Sequence, residues 1–185
     1  MSALTALIFT RSASSSARNC SSRALASARL GALEQARALW LEEPFNAHAL
    51  QQYGELAKRC NTVKLAGGEG AHNAAMAQHL IDYGGIGYVQ IDCGRIGGIG
   101  PAKQVADYAL ARGVTYVNHT FTSHLALSAS MQPFAGLADH AICEYPAAPK
   151  ALAVELIQLG LGIEQLHLAG AAVLKKTDDG FRALC

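Results

Sequence analysis

The chain has 185 residues, of which 51% are hydrophobic and 16% are charged, and its formal net charge is +1 at pH 7. The chain therefore lacks the excess of basic residues typical of nucleic-acid-binding proteins. It also contains no run of 18 apolar residues, about the length needed to span a membrane. The five cysteines form no C-x-x-C pair, which argues against a disulfide framework or a zinc site. We therefore expect a cytoplasmic globular protein with small-molecule chemistry and with neither a nucleic acid nor a membrane as a partner.

The amino-terminal segment, residues 1–32, differs in composition from the rest of the chain. It is rich in Ser, Ala and Arg and contains no Asp, Glu or Lys, and the first carboxylate is Glu34. This composition predicts an unstructured or foreign leader, with an organelle transit peptide as the alternative. Residues 33–150 are the predicted folded segment, and residues 151–185 are interpreted as a degenerate carboxyl-terminal tail.

From Leu33 onward, short β-like runs alternate with helical runs, a pattern typical of β/α units around a parallel sheet. This predicts an α/β fold. The chain is shorter than the roughly 250 residues of a complete eight-stranded β/α barrel, so only part of such a barrel is expected. The predicted strands cover residues 40–43, 63–66, 88–91, 114–118 and 141–143. The predicted helices cover residues 33–39, 47–60, 71–83, 101–112, 123–132 and 150–158.

An ionisable residue stands at or just after the end of each predicted strand. These residues follow one another at intervals of 27, 23, 27 and 25 positions: Glu42, Glu69, Asp92, His119 and Glu144. In a β/α barrel the carboxyl ends of the strands converge on one face, so we expect the five side chains to meet there. Burying several charged groups together costs free energy unless they pair with one another or bind a cation. Because the candidate ligands are carboxylate oxygens and no thiolates are among them, Mg²⁺ is the cation that fits best.

Five ordered motifs around these residues resemble a known family. They are Trp-Leu-Glu-Glu-Pro, Gly-Gly-Glu, Ile-Asp-Cys-Gly-Arg-Ile-Gly-Gly, Val-Asn-His and Cys-Glu-Tyr-Pro, and they lie between residues 34 and 150. Together they resemble the mandelate racemase branch of the enolase superfamily. The resemblance implies a truncated form of that fold, the carboxyl-terminal part of a (β/α)7β TIM-like barrel comprising strands four to eight.

The resemblance also implies roles for the strand-end residues. Glu42 and Glu69 would be magnesium ligands, and Asp92 would orient His119, which would act as the general base or acid. The family's third carboxylate ligand and its lysine-bearing second strand are not recognisable in this sequence. The implied metal site therefore has two of its three carboxylates.

Two further residues complete the implied site. Glu144 would hydrogen-bond the substrate carboxylate, and Arg95 would contact an anionic substrate from the rim. The run from Asp92 to Gly98 is most similar to acid-sugar dehydratases, including those that act on galactarate. The predicted reaction is Mg²⁺-dependent abstraction of the proton α to a carboxylate, followed by loss of the β-hydroxyl to give a 2-keto-3-deoxy acid.

Three alternatives remain open at this point. The first is a racemase or epimerase of the same family. The second is a catalytically inactive fragment or pseudoenzyme that acts only by protein association, through unpaired strand edges. The third is an unrelated phosphate-binding barrel that uses the glycine-rich loop 94–100, although its spacing is not G-x-G-x-x-G. For the full-length family, the resemblance implies a homo-oligomer and a small-molecule acid-sugar substrate.

Overall fold

The computed structural model describes residues 19–120, 123–135, 142–145, 172–177 and 180–184. Within these ranges, no helix is long and apolar enough to cross a membrane. The helices are α1 Asn19–Gln35, α2 Leu50–Ala57, α3 Ala74–Gly84, α4 Cys93–Ile96, α5 Ile99–Leu110 and α6 His124–Met131, with a 3-10 turn Gln132–Phe134. The strands are β1 Trp40–Glu42, β2 Lys64–Gly67, β3 Tyr88–Ile91, β4 Thr115–Asn118, β5 Ile142–Tyr145, β6 Ala172–Thr177 and β7 Gly180–Leu184.

The first four strands form one parallel sheet in the order β1-β2-β3-β4. The backbone N–H of Glu43 donates to Ala66 at 3.0 Å, and that of His119 donates to Ile91 at 2.9 Å, so the ladders extend past the strand ends. The chain returns through helices between consecutive strands, which places all four carboxyl ends at one edge of the sheet. The predicted α/β fold is confirmed, and each predicted strand is present with ends within two residues of the prediction.

The two faces of this sheet have different surroundings because successive strand residues point to opposite sides. Leu41, Leu65 and Val89 are fully buried on the face covered by the helices and belong to the main core. On the opposite face, Trp40 packs on Tyr88 with ring centroids 4.9 Å apart. This second face, which corresponds to the interior of a barrel, carries the polar residues described below.

Helix α1 begins inside the segment that the sequence predicts to be an unstructured leader. Ala26, Leu30 and Leu33 recur at helical spacing, are at most 5% exposed and join the main core. Glu34 anchors the helix by accepting a hydrogen bond of 2.8 Å from the backbone N–H of Asn61. The structure thus differs from the prediction over residues 19–32, because an apolar stripe suffices to dock a helix that has no acidic residue in that stretch.

Strand β5 does not continue the parallel ladder. It pairs antiparallel with β6, which pairs antiparallel with β7, so the tail contains two strands that the sequence did not predict. A side chain joins β5 to β4 instead: the Asn118 amide donates to the backbone oxygen of Glu144 at 2.8 Å and accepts from its N–H at 3.0 Å. Residues 1–18 of the leader and the helix predicted over 150–158 lie outside the described residues.

Candidate active site

The predicted strand-end residues lie at the carboxyl edge of the sheet. Glu42 is the last residue of β1, Glu69 follows β2 by two residues, and Asp92 and His119 directly follow β3 and β4. Glu144 lies in β5, which Asn118 holds beside β4. The structure therefore gathers five residues that span more than 100 positions of sequence at one edge. Their predicted catalytic and metal-binding roles stay predictions.

His119 is at the centre of the arrangement. Its ring is buried, with Nε2 2.8 Å from Glu69 Oε2 and Nδ1 3.2 Å from Asp92 Oδ2. The contact between Asp92 and His119 matches the pairing implied by the resemblance. The contact with Glu69 does not follow from the sequence, because Glu69 was assigned to the metal. Each ring nitrogen of His119 thus faces a carboxylate.

Asp92 has a second function as the amino-terminal cap of helix α4. Its Oδ1 accepts hydrogen bonds from the backbone N–H groups of Gly94, at 2.8 Å, and Arg95, at 3.2 Å. Gly97 ends this single turn with φ of 104°, a left-handed conformation that favours glycine. Because Oδ1 is held by the turn, Oδ2 is left facing His119, so the cap and the imidazole contact fix the carboxylate from both sides.

Arg95, on this same turn, contacts the protein's own carboxylates. Its Nη1 lies 3.0 Å from Glu69 Oε1 and also donates to the backbone oxygen of Glu69 at 3.2 Å. Its Nε lies 3.9 Å from Asp92 Oδ2. The side chain is 46% exposed, so it lies at the rim of the site. A contact with substrate, which the resemblance implies for Arg95, stays a prediction.

Glu42 is held by two donors that the sequence analysis missed. Its Oε2 accepts from Trp40 Nε1 at 3.1 Å and from Gln90 Nε2 at 2.9 Å, and all three residues are buried. A signal existed, because Trp40 precedes Glu42 by two residues and Gln90 precedes Asp92 by two, and residues two apart lie on the same face of a strand.

The pKa values of Glu69 and His119 reflect their mutual contact. The hydrogen bond from His119 outweighs burial and, with the Arg95 contact, lowers the pKa of Glu69 to about 2. Burial lowers the pKa of His119, but the hydrogen bond to Glu69 and the charges of Glu144 and Glu69 outweigh it and raise that pKa to about 9. The two groups form an ion pair at neutral pH.

Glu144 is a buried carboxyl group whose burial is poorly offset by hydrogen bonds. It is 3% exposed, and its Oε2 has no hydrogen-bond partner among the described residues. Burial raises the pKa of Glu144 to about 8; the charge of His119 opposes the rise, and the nearby carboxylates add to it. Gln90 Oε1 is a second buried acceptor without a partner in the described part of the chain. Both acceptors belong to the site's inner surface.

Glu42 and Glu69, the two residues predicted to bind magnesium, contact other side chains in this structure. Both oxygens of Glu69 contact cationic side chains, and Glu42 Oε2 already accepts two hydrogen bonds. Across the residues that the structure describes, no group of three or more His, Cys, Asp or Glu side chains could hold a metal ion. The described donor set therefore does not fit Mg²⁺ as it is arranged.

A family model described as "Enolase C-terminal domain-like" matches residues 17–172, which is more than half of the chain. The chain belongs to the enolase superfamily. This confirms the family predicted from the five motifs, and the match includes the helix α1 that the sequence analysis excluded. Among curated relatives, the D-galactonate dehydratase of Variovorax paradoxus is 32% identical over 103 residues, which cover 56% of this chain and 27% of that protein.

Solved structures of enolase-superfamily proteins resemble this chain over a similar extent. A predicted mandelate racemase from Rhodobacter sphaeroides is 68% identical, with a TM-score of 0.68 over 71% of this chain and 34% of that one. The L-talarate/galactarate dehydratase of Salmonella typhimurium LT2, liganded with Mg and L-lyxarohydroxamate, is 31% identical, with a TM-score of 0.52 over 58% of this chain and 27% of that one. The chain spans about a third or less of the length of these relatives.

Proposed function

We propose that this chain carries the proton-transfer half of an enolase-superfamily active site, which acts on the carbon α to a substrate carboxylate. In the preferred form of this proposal, an acid sugar is dehydrated to a 2-keto-3-deoxy acid. The observation that carries the proposal is the placement of His119 between two carboxylates at the strand ends, beside the unpartnered Oε2 of Glu144 in the described residues. The dehydratases among the relatives support the choice of reaction.

The proposed reaction breaks bonds at two carbons of the substrate, the α carbon and the β carbon. Removal of the α proton leaves its electron pair delocalised into the carboxylate, and departure of the β-hydroxyl with a proton gives an enol that becomes the 2-keto acid. While paired with Glu69 at 2.8 Å, His119 is protonated and would act as an acid through Nε2, delivering a proton to the departing hydroxyl. It would accept the α proton as a base only after Glu69 withdraws and the pKa of the ring falls. Asp92 would hold Nδ1 and keep the ring oriented; a positioned general acid or base contributes about 100-fold to 10,000-fold to the rate.

Glu144 would interact with the substrate carboxylate rather than with the proton in transit. Its Oε2 is buried and unpartnered within the described residues, so it is available to a ligand. A protonated Glu144 would donate a hydrogen bond to a substrate oxygen, and that bond would strengthen as negative charge develops there. This function requires Glu144 to keep its proton at neutral pH, in agreement with its raised pKa.

The proposal includes Mg²⁺, because a solved relative is liganded with Mg. When bound, the ion would stabilise the negative charge that forms on the substrate carboxylate. Glu42 and Glu69 are the residues of this chain proposed to contribute to its binding. Further ligands, and release of Glu69 from its present contacts, would be needed.

The test is proton exchange at the α carbon. The protein would be incubated in D₂O with Mg²⁺ and a panel of acid sugars, and ¹H NMR would follow loss of the α-proton signal. A semicarbazide assay would detect any 2-keto-3-deoxy acid in parallel. We expect exchange with at least one substrate and its loss in His119→Asn, whereas Arg112→Gln, distant from the site, should retain it. Exchange that is unaffected by His119→Asn would refute the proposed role.

Two alternatives have distinct outcomes in the same experiment. Exchange with inversion of configuration and no keto acid would identify a racemase or epimerase, a reaction suggested by the similarity to a predicted mandelate racemase. No exchange across the whole panel would favour a protein that acts only by association. The absence of a three-ligand group among the described residues is the observation that favours that second class.

A further inference from the structure

The side chain of Asn118 joins strand β5 to the parallel sheet. Asn118 is the last residue of β4 and is fully buried. Its Nδ2 donates to the backbone oxygen of Glu144 at 2.8 Å, and its Oδ1 accepts from the backbone N–H of the same residue at 3.0 Å. Within the part of the chain that the structure describes, no backbone ladder pairs β5 with β4. The Asn118 amide therefore makes bonds to Glu144 of the kind that a neighbouring strand would make.

This pair of bonds needs a carboxamide group. An amide presents one donor and one acceptor side by side, and the N–H and oxygen of Glu144 determine which end of the amide is the nitrogen. An aspartate has the same shape and keeps the acceptor, but its carboxylate has no proton to donate. An alanine removes both bonds and leaves the buried backbone of Glu144 without these partners. The contact thus depends on the chemistry of Asn118 and not only on its size.

The position of the Glu144 carboxyl depends on this backbone contact. Its Oε2 is buried and has no hydrogen-bond partner among the described residues, so no bond at that oxygen fixes the carboxyl group. The direction of the side chain is set at its Cα, which lies between the N–H and the carbonyl that Asn118 holds. A shift of this backbone would move the carboxyl by a similar distance.

The same stretch of chain positions His119. The backbone N–H of His119 donates to the oxygen of Ile91 at 2.9 Å, which fixes it to β3. Asn118 directly precedes His119, so consecutive residues hold the imidazole on one strand and the backbone of Glu144 on the next. The separation between the His119 ring and the Glu144 carboxyl is therefore set by this dipeptide.

We propose that Asn118 is a positioning residue, whose amide places the Glu144 carboxyl relative to the His119 ring so that both groups reach the same substrate. The inference rests on the proposed function, in which His119 transfers the proton and Glu144 binds the substrate carboxylate. Asn118 acts through Glu144 and does not itself contact the substrate. Its loss slows proton transfer because a misplacement of about 1 Å can cost about 100-fold in rate. The loss has this effect only while Glu144 is present.

The first test is a double-mutant cycle on proton exchange. Exchange of the α proton of galactarate and D-galactonate in D₂O would be followed by ¹H NMR for wild type, Asn118→Ala, Glu144→Gln and the variant with both substitutions. We expect Asn118→Ala to lower kcat about tenfold to 100-fold. In the Glu144→Gln background the same substitution should have almost no further effect, because the group that Asn118 positions is already gone.

Ser130→Ala is the matched control, because Ser130 is also fully buried and its Oγ donates to the backbone oxygen of Leu127 at 2.8 Å. It removes a bond of the same kind in helix α6 and should leave kcat unchanged. Asn118→Asp should lower kcat as Asn118→Ala does, and it replaces that variant if circular dichroism shows Asn118→Ala to be unfolded. The inference is overturned if Asn118→Ala affects kcat no more than Ser130→Ala does, or if its effect is as large in the Glu144→Gln background as in wild type.

A second measurement needs no turnover. In protein labelled with ¹³C-glutamate, the carboxyl resonance of Glu144 would be assigned by its loss in Glu144→Gln and recorded at one neutral pH in each variant. We expect this resonance to shift in Asn118→Ala and Asn118→Asp and to keep its position in Ser130→Ala. An unshifted resonance in both Asn118 variants would show that Asn118 does not place Glu144. If wild type exchanges no proton, the proposed function fails, and this resonance decides by itself whether Asn118 positions the carboxyl.

Discussion

Replacement of Glu144 by Gln should remove the pH dependence of stability that this buried carboxyl imposes. Its pKa rises from an ordinary value of 4.5 to about 8, mainly because burial penalises the charged form. Between these two pH values the folded protein holds a proton on Glu144 that the unfolded chain has released. The contribution of Glu144 to stability must therefore fall as pH rises from 4.5 to 8, since the folded state binds the extra proton.

The size of the effect follows from the same pKa values. Each tenfold change in proton affinity is worth about 1.4 kcal/mol, so the contribution of Glu144 reaches about 5 kcal/mol over the full interval. The residue is only 3% exposed, so solvent screening does not reduce this figure much. Because a glutamine side chain resembles the protonated carboxyl in shape, the Glu144→Gln variant should match wild type near pH 4.5 and exceed it in stability at pH 8.

Urea unfolding followed by far-UV circular dichroism at about pH 4.5, 6 and 8 would measure this difference. Glu34→Gln is the control, because hydrogen bonds from Asn61 lower the pKa of Glu34 and its contribution is lost only as the pH falls below 4.5. That variant should show the wild-type slope between pH 4.5 and 8. Parallel stability curves for wild type and Glu144→Gln over this range would refute the claim that Glu144 is protonated in the folded protein.

Three further substitutions test the fold around the site by urea unfolding. Gly68→Ala should destabilise the fold by about 1–3 kcal/mol for two reasons: the new Cβ would lie 3.0 Å from the backbone oxygen of Gln90, and the φ of +117° is unfavourable for alanine. Asn73→Ala should cost about 1 kcal/mol by removing the side-chain cap of α3, and Asn73→Ser should retain most of it. Trp40→Phe should cost about 1.5–3 kcal/mol, because the buried Glu42 loses one of its two donors.

Each of these three predictions has a control variant or an outcome that would contradict it. Gly31, in helix α1, has no atom within 4 Å of an added Cβ, so Gly31→Ala should be neutral or stabilising. If Gly68→Ala were equally well tolerated, the close approach of the loop to β3 would not matter for stability. Equal losses for Asn73→Ala and Asn73→Ser would show that the cap bond is not what stabilises α3. Unchanged stability in Trp40→Phe would show that Gln90 alone satisfies Glu42.

The predictable part of the site comes from short-range regularities. The spacing of Glu42, Glu69, Asp92 and His119 reflects the length of one β/α unit, and parallel connections bring their strand ends to a common edge. Helix α1 shows the limit of composition as evidence. An acid-free segment looked unstructured, although three apolar residues at helical spacing were enough to bury one side of it.

Two contacts within the site were not predicted from the sequence, and both join residues far apart in the chain. The bond between Gln90 and Glu42 spans 48 positions, and the contact between Arg95 and Glu69 spans 26. Whether such side chains meet depends on the register of neighbouring strands and on the course of each loop. Neither quantity is encoded in a local pattern.

The amino-acid sequence by itself determined the family, which follows from the five motifs. It also determined the parallel α/β architecture and the set of strand-end residues, which follow from the alternation of strands and helices and from the repeat length of one β/α unit. Only the tertiary structure showed that Glu69 contacts Arg95 and His119 and that Gln90 donates to Glu42. A carboxylate such as Glu69 can interact with a metal ion, an arginine or an imidazolium, since each brings positive charge close to its oxygens. In this protein the loop at Gly68 and the capped turn at Asp92 place Glu69 within hydrogen-bond distance of Arg95 and His119.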